Sequence, residues 1–157
     1  MKNSIHILLT LLLVALFLPA CNSNKSNSRT SRTPKKKVGV NFVETDQFSK
    51  VLEKAGRMDQ LVFLDIYTTW CAPCKLMDEY VFTDKETEKF MNKNFVNYKV
   101  DAEKDNGQVV ATIYSASVYP TLIFMNKEGE VLERREGATS ITELRDMAHR
   151  ALRSIGK

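Results

Sequence analysis

Cysteine and histidine are both scarce in this chain. Among its 157 residues there are three cysteines and two histidines, at Cys21, Cys71, Cys74, His6 and His149. A structural zinc site needs four such ligands, usually two Cys pairs or one pair with histidines, and two of the three residues left to complete it lie near the N-terminus. A c-type haem needs histidine directly after the second cysteine of a pair, where this chain has Lys75. We therefore expect no metal and no cofactor.

Acidic residues are absent from the first 37 positions. Seven Lys and Arg residues stand there, while the whole chain has a net charge of +4, so residues 38–157 carry a net charge of −3. The basic character of the chain thus belongs to its N-terminal part. Because no excess of positive charge remains for a folded surface, the sequence argues against a nucleic-acid partner.

Apolar runs of the length that crosses a membrane are also absent. The longest run, residues 7–18, follows Lys2 and precedes Pro19, Ala20 and Cys21, an order that predicts a signal peptide over residues 1–20. The sequence LPAC at residues 18–21 resembles a bacterial lipobox, so we expect Cys21 to become a lipidated residue that anchors the protein without spanning the bilayer. The alternative is an unpaired cysteine in an ordinary signal, or a thiol that bonds to another molecule.

The following segment is polar. Residues 22–37 consist almost entirely of Ser, Asn, Thr, Lys and Arg, which cannot bury enough apolar surface to fold. We predict a flexible basic tether over residues 21–37 and a single folded domain over residues 38–157. An overall hydrophobic content of 43% is enough for one core.

Hydrophobic spacing and turn residues predict alternating strands and helices in this domain. The first predicted elements are a strand at 38–43, a helix capped at Thr45 or Asp46 that runs to about Ala55 before Gly56, a strand at Leu61–Tyr67, a helix at 71–82 and a helix capped at Thr83. They are followed by a strand at 95–100, a helix at 107–114, strands at Thr121–Met125 and 130–134, and a helix capped at Ser140 with its buried stripe reaching Ile155. Alternation followed by a hairpin predicts an α/β sheet of mixed direction.

A pair of cysteines lies where the apolar strand gives way to helical spacing. Residues 70–75 read WCAPCK. A helix that begins at Cys71 would direct free N–H groups and its positive dipole end at that sulfur, so its thiol should ionise easily. We therefore predict a redox site, with a purely structural disulfide as the alternative.

One charge interrupts the apolar strand. Asp65 lies six residues before Cys71, and a carboxylate buried there must either be partnered or have a raised pKa. We predict a functional acid. The alternative is an edge position with the side chain in water.

These separated features resemble the thioredoxin superfamily over residues from about 45 to 155. WCAPCK resembles its WC-x-x-CK signature, Asp65 matches its buried acid, Tyr119 and Pro120 match its loop with a cis proline, and Gly129 and Gly137 stand at its hairpin and following bend. The break in the helix before residue 83 is similar to the C-terminal domain of DsbD and to thioredoxin-like lipoproteins of bacterial envelopes.

The resemblance implies a thioredoxin fold, a central mixed β-sheet flanked by helices, and the activity of a thiol–disulfide oxidoreductase that reduces protein disulfides. It implies that Cys71, exposed at the helix start, exchanges with the partner, that Cys74 resolves the mixed disulfide, and that Asp65 takes the proton from Cys74. Trp70, Tyr119 and Pro120 are then the residues on the substrate side. The lysine that partners the family's acid aligns with Asn97.

The expected partners are thiols and disulfides of exported proteins and an upstream redox protein of the membrane or envelope. The expected location is the periplasmic side of a bacterial membrane, inner or outer, held by the lipid on Cys21. The alternative function is a tethered binding or chaperone-like module that performs no redox turnover.

Overall fold

A four-stranded sheet is the centre of the fold in the computed structural model, which describes residues 38–156. The elements are α1 (Phe48–Met58), β1 (Leu61–Tyr67), α2 (Ala72–Leu76), a π-helical segment (Met77–Val81), α3 (Lys85–Asn94), β2 (Phe95–Asp101), α4 (Asn106–Ile113), β3 (Thr121–Met125), β4 (Val131–Glu136) and α5 (Ile141–Ser154). The strand order is β2-β1-β3-β4. Only the β1–β2 pair is parallel, which confirms the predicted mixed α/β sheet.

The continuous apolar run makes β1 an inner strand. Six of its seven residues are buried, because helices cover both faces of the sheet. On one face, Val62, Leu64 and Ile66 pack with the buried residues of α1 and α4. On the other, Leu61 and Phe63 pack with the π segment, α3 and α5.

The predicted strand at 38–43 is wrong. A single bridge joins Phe42 to Asn97 of β2, with Val43 N donating to the carbonyl of Asn97 at 2.8 Å. The N–H groups before Phe42 are bonded away from the sheet. Asn41 N donates to Asn92 Oδ1 at 2.7 Å, and Val40 N donates to the carbonyl of Phe82 at 2.8 Å. The segment is therefore held to the end of the π segment and to α3 rather than extended along the sheet.

Two helix ends differ from the prediction. The N-cap of α1 is Gln47 rather than Thr45 or Asp46, and the helix continues past Gly56 to Met58. Its C-cap, Asp59, adopts the left-handed conformation (φ 48°) that Asp tolerates. Helix α3 is capped by Asp84, whose Oδ2 accepts from Thr87 N at 2.8 Å. The side chain of Thr83 is directed back to the preceding turn, where its hydroxyl donates to the carbonyl of Glu79.

The predicted helix at 71–82 changes geometry half-way. After α2, residues Met77–Val81 form a π-helical turn that Phe82 N closes by donating to the carbonyl of Met77 at 2.9 Å. Met77 and Val81 are buried in this turn while Tyr80 is exposed. The wider turn places Asp78 within reach of the sheet.

The C-terminal hairpin and helix follow the prediction, except at their ends. Gly129 and Gly137 have positive φ values of 88° and 82°, and β4 runs two residues beyond the predicted 134. Ser140 caps α5 by accepting from Glu143 N at 3.2 Å. Ile155 lies beyond the helix and is 38% exposed, so its place in the buried stripe is wrong.

Gly107→Ala is expected to destabilise the domain by about 1–3 kcal/mol or more. An added Cβ would lie 1.9 Å from the carbonyl oxygen of Asp101, and backbone cannot move aside as a flexible side chain can. Urea unfolding of the two proteins measures the difference. Gly56→Ala is the matched control: nothing lies within 4 Å of its added Cβ, so it should stabilise helix α1 by roughly 0.5–1 kcal/mol. Equal effects at both sites would contradict this reading.

Candidate active site

The two cysteines stand where β1 ends and α2 begins. Cys71 has an extended backbone (φ −69°, ψ 104°) and is the N-cap of α2, which starts at Ala72. Pro73 fits the first turn because a proline there forfeits no helical hydrogen bond. The Cys71 N–H donates back to the carbonyl of Thr68 at 3.2 Å, which fixes the turn between the strand and the helix.

Cys71 and Cys74 form a disulfide, with their Cα atoms 5.3 Å apart. The backbone N–H of Cys74 donates to Cys71 Sγ at 3.1 Å. After the disulfide is reduced, a hydrogen bond to this sulfur stabilises the Cys71 thiolate. The expected exposure of Cys71 is wrong for this oxidised state: Cys71 is 3% and Cys74 2% exposed, because the disulfide ring folds both side chains against the helix start.

Asp65 lies in the interior, at 1% exposure, which excludes an edge position in water. Its Oδ2 accepts a hydrogen bond from Lys99 Nζ at 2.8 Å. Burial raises the pKa of Asp65 above its ordinary value of 3.8, against the opposing effect of Lys99. The acid is thus shifted toward the range in which it can exchange protons near neutral pH.

Lys99, rather than Asn97, is the partner of this acid. Strands β1 and β2 pair in parallel with Asp65 opposite Lys99 and Phe63 opposite Asn97. Asn97 instead donates from its amide to Asn92 Oδ1 at 3.2 Å. The expected alignment was wrong by two residues, which is one full repeat of a strand and therefore keeps the same face.

A second carboxylate shares this lysine. Asp78 Oδ1 lies 2.5 Å from Lys99 Nζ, and its side chain is 47% exposed while that of Lys99 is only 14% exposed. Burial lowers the pKa of Lys99, but the two carboxylates outweigh it and leave the pKa raised. Lys99 is therefore a cation that connects a buried acid to one in contact with water.

The residues expected on the substrate side are also brought together in part. Trp70 is 65% exposed, so it belongs to the surface and not to the core, and its ring meets that of Tyr119 edge-on with centroids 6.0 Å apart. The indole N–H donates to Glu103 Oε1 at 2.9 Å. The Tyr119–Pro120 peptide bond is cis, as the resemblance implied. Pro120 directly precedes Thr121, which pairs with Ile66, at the end of the sheet from which Cys71 follows.

Three residues of this site were not predicted as such: Lys99, Asp78 and Glu103. The signal for Lys99 was present in the sequence. Pairing the predicted strands from their first residues, Leu61 with Phe95, places residue 99 opposite residue 65. Asp78 and Glu103 carry no such signal, because their positions depend on the π-helical turn and on the loop after β2.

The described part of the chain contains neither a metal-binding cluster nor a helix that could span a membrane. Among residues 38–156, no group of three or more His, Cys, Asp or Glu side chains is placed to hold a metal ion. Within those residues, no helix combines the length and the apolar character that crossing a bilayer requires. Cys21, the predicted signal peptide and the predicted tether lie outside the described residues.

Asp78→Asn is expected to lower the pKa of Asp65. The charge of Asp78 raises the pKa of Asp65, and Asp78 also competes with it for Lys99. The ratio of ionised to neutral Asp65 at a fixed pH should therefore rise about two- to fivefold. Carboxyl ¹³C NMR of the oxidised protein measures this while the cysteines are unable to titrate. Glu79→Gln, at an exposed neighbour, is the control and should leave the titration unchanged.

Comparison with known proteins relates this geometry to a family. Residues 31–151 match the family model Thioredox_DsbH, described as a protein of unknown function, DUF255. The chain is 27% identical over 139 residues to the thiol:disulfide interchange protein DsbD of Campylobacter jejuni, covering 84% of this chain and 24% of that protein. It thus spans about a quarter of the length of that relative.

Two solved structures are similar over most of the domain. The solution structure of a candidate disulphide-isomerase from Bacteroides thetaiotaomicron is 38% identical, with a TM-score of 0.66, and covers 76% of this chain and 98% of that one. The solution structure of a thioredoxin from Thermus thermophilus is 21% identical, with a TM-score of 0.64, and covers 76% and 95%. This second likeness confirms the thioredoxin fold.

The site and the comparisons agree. A Cys71–Cys74 disulfide at the start of a helix is the CxxC redox pair that thiol–disulfide oxidoreductases of this fold carry. The family model covers more than three quarters of the sequence. The chain therefore belongs to the thioredoxin-like DsbH family.

Proposed function

We propose that this protein is a thiol–disulfide oxidoreductase of the bacterial envelope that reduces disulfides in exported proteins. The observation that carries the proposal is the Cys71–Cys74 disulfide at the end of β1, with the buried acid Asp65 on the strand that leads to it. The similarity to DsbD, a thiol:disulfide interchange protein, supports the same reaction class.

In the reduced protein, the thiolate of Cys71 attacks one sulfur of a partner disulfide. The bond between the partner's sulfurs breaks, one leaves as a thiolate, and Cys71 becomes joined to the other in a mixed disulfide. Two features support this role for Cys71. It is the N-cap of α2, and its sulfur accepts the N–H of Cys74 at 3.1 Å, so its anion has a donor in place.

Cys74 then completes the exchange. Its sulfur attacks Cys71 Sγ, the internal disulfide forms, and the second partner sulfur leaves as a thiolate. Cys74 must lose its proton first, and Asp65 is the proposed acceptor because its pKa is raised by burial. The partner gains two electrons and this protein loses two, so a reductant of the membrane or envelope has to restore the dithiol.

Trp70 and Tyr119 are proposed to receive the partner chain. Their rings form an edge-on pair, and Glu103 fixes the exposed indole. The partner therefore meets an apolar surface whose side chains are already ordered, which lowers the entropy cost of binding. Pro120 is proposed to border the disulfide next to them. A partner segment lying along the residues before β3 would present its disulfide to Cys71.

Two measurements test the direction of electron transfer and the disulfide-reducing activity. Equilibration of Cys71 and Cys74 with a glutathione buffer gives the reduction potential; a value near that of thioredoxin supports a reductant, and one near that of DsbA contradicts it. Insulin reduction with dithiothreitol measures turnover. If the parent shows none, while peptide binding survives in a Cys71→Ser, Cys74→Ser double variant, the binding or chaperone-like module is the correct function.

Membrane attachment is proposed through a lipid on Cys21, on the basis of the sequence LPAC. Cys21→Ser is expected to move the protein from the membrane to the soluble fraction of the envelope, because one residue carries the acyl chains. Fractionation of cells that express the full chain, with labelled fatty acid, measures this. Ser23→Ala, two residues away, is the control, and labelling that persists in Cys21→Ser would exclude the anchor.

A further inference from the structure

Lys99 is surrounded by three aromatic rings as well as by its two carboxylates. Its Nζ lies 4.5 Å from the ring centroid of Tyr67, 5.4 Å from that of Phe82 and 5.8 Å from that of Phe42. All three distances are within the range of cation–π attraction. An ammonium group has three N–H donors, and Asp65 and Asp78 use two of them, so one N–H remains on the side of the rings.

The pleat of the sheet places Tyr67 in this environment. Side chains two residues apart on a strand point to the same face, so Tyr67 and Asp65 stand side by side on β1. Lys99 is directly opposite Asp65 on β2. The other strand beside Asp65 places the apolar Leu122 opposite it. Asp78 reaches the same lysine from the π segment.

The two carboxylates compete for one cation on unequal terms. Asp78 is 47% exposed, whereas Asp65 is 1% exposed, and an ammonium group gains hydration by moving toward the exposed partner. The charge of Asp65 attracts Lys99 to the inner position, and any further group that favours this position strengthens the contact. Among the described residues the closest ring is that of Tyr67, and a cation–π contact adds to the attraction that holds Lys99 there.

We propose that Tyr67 is a positioning residue whose ring holds the Lys99 ammonium against Asp65 and so sets the proton affinity of that acid. The inference rests on the proposed function for its significance, since Asp65 is the proposed proton acceptor of Cys74. The placement of Lys99 is independent of turnover. Tyr67 thus acts on the site through Lys99.

The test is the titration of Asp65 in the oxidised full chain, followed by carboxyl ¹³C NMR. In Tyr67→Leu, Lys99 should shift toward Asp78 and water, and the lost positive charge should make Asp65 harder to ionise. The ratio of ionised to neutral Asp65 should fall about two- to fivefold at a fixed pH. This is the change in the ratio that corresponds to a cation–π energy of about 0.5–1 kcal/mol. Tyr67→Phe keeps the ring and should behave as the parent. If Tyr67→Leu does not unfold cooperatively, Tyr67→Met is used in its place.

Two outcomes overturn the proposal. A merely structural role would let water into the gap, so Asp65 would become easier to ionise or would not change. The second is an effect of Tyr67→Leu that persists in a Lys99→Met background, because a residue that acts through Lys99 can have none there. Phe63→Leu, on the same strand, is the packing control. If the parent fails to reduce insulin, the proposed function fails, and the titration result still decides the role of Tyr67.

Discussion

Cys71→Ser is expected to reduce insulin turnover to the dithiothreitol background, a loss on the order of a thousandfold or more. A serine hydroxyl at this N-cap can still accept the N–H of residue 74, so the helix start should survive. It cannot form the mixed disulfide, because the reaction requires sulfur as nucleophile and as electrophile. Turnover is followed by insulin precipitation, and near-ultraviolet circular dichroism checks the fold.

Cys74→Ser should stop the reaction one step later, at the mixed disulfide. Cys71 can still attack, but no second thiol is present to release the partner, so the mixed disulfide should accumulate and be visible on a non-reducing gel. Cys21→Ser is the matched control because it removes the third cysteine from outside residues 38–156. If the mixed disulfide accumulates in Cys71→Ser instead, joined to Cys74, the proposed roles of the two cysteines are reversed. Equal turnover in all three variants would exclude the enzyme.

The sequence was most informative where a single local signal determined the structure. An unbroken apolar run predicted an inner strand, and β1 has the predicted bounds. One charge within that run, six residues before Cys71, predicted a functional acid rather than an edge residue in water, and Asp65 is buried. The CxxC spacing predicted a pair that could bond across one helical turn, and it does.

It was least informative where several elements meet. The exposure of Cys71 depends on how the disulfide ring packs, which spacing does not encode. The segment 38–43 has the apolar alternation of a strand, yet side chains of α3 accept the N–H groups of Gly39 and Asn41. The partner of Asp65 was missed because alignment by family spacing was used where register from the strand starts gives Lys99.

Asp65→Asn is expected to slow the resolution of the mixed disulfide by about 10²- to 10³-fold at neutral pH, the usual contribution of a general base. An amide keeps the size of the side chain and can still accept from Lys99, but it cannot take the proton of Cys74. In the parent the rate should rise with pH as Asp65 ionises, from above its ordinary value of 3.8 because its pKa is raised by burial, and then level off. In the variant the rate should keep rising with pH, as ionisation by solvent replaces the base.

Asp65→Asn, although it slows the reaction, should make the folded protein more stable than the parent as the pH rises. A carboxyl whose pKa is higher in the folded than in the unfolded chain binds its proton more tightly when folded, so its contribution to stability is full below pH 3.8 and falls as pH rises through the raised value. Lys99 does not mask this window, since its pKa is raised and its contribution is lost only above 10.5. Asp65→Asn should therefore gain stability relative to the parent as the pH rises from 4 toward neutrality. Urea unfolding at several pH values measures the gap.

A matched charge change separates the buried acid from the net charge. Asp146→Asn alters an exposed carboxylate on α5 and should change neither the resolution rate nor the pH dependence of stability. If both variants shift stability alike, the effect belongs to the charge of the whole protein and not to the interior position. If Asp65→Asn leaves the rate unchanged while its stability gap grows with pH, Asp65 is a buried acid whose ionisation costs stability without serving Cys74, and another group takes the proton.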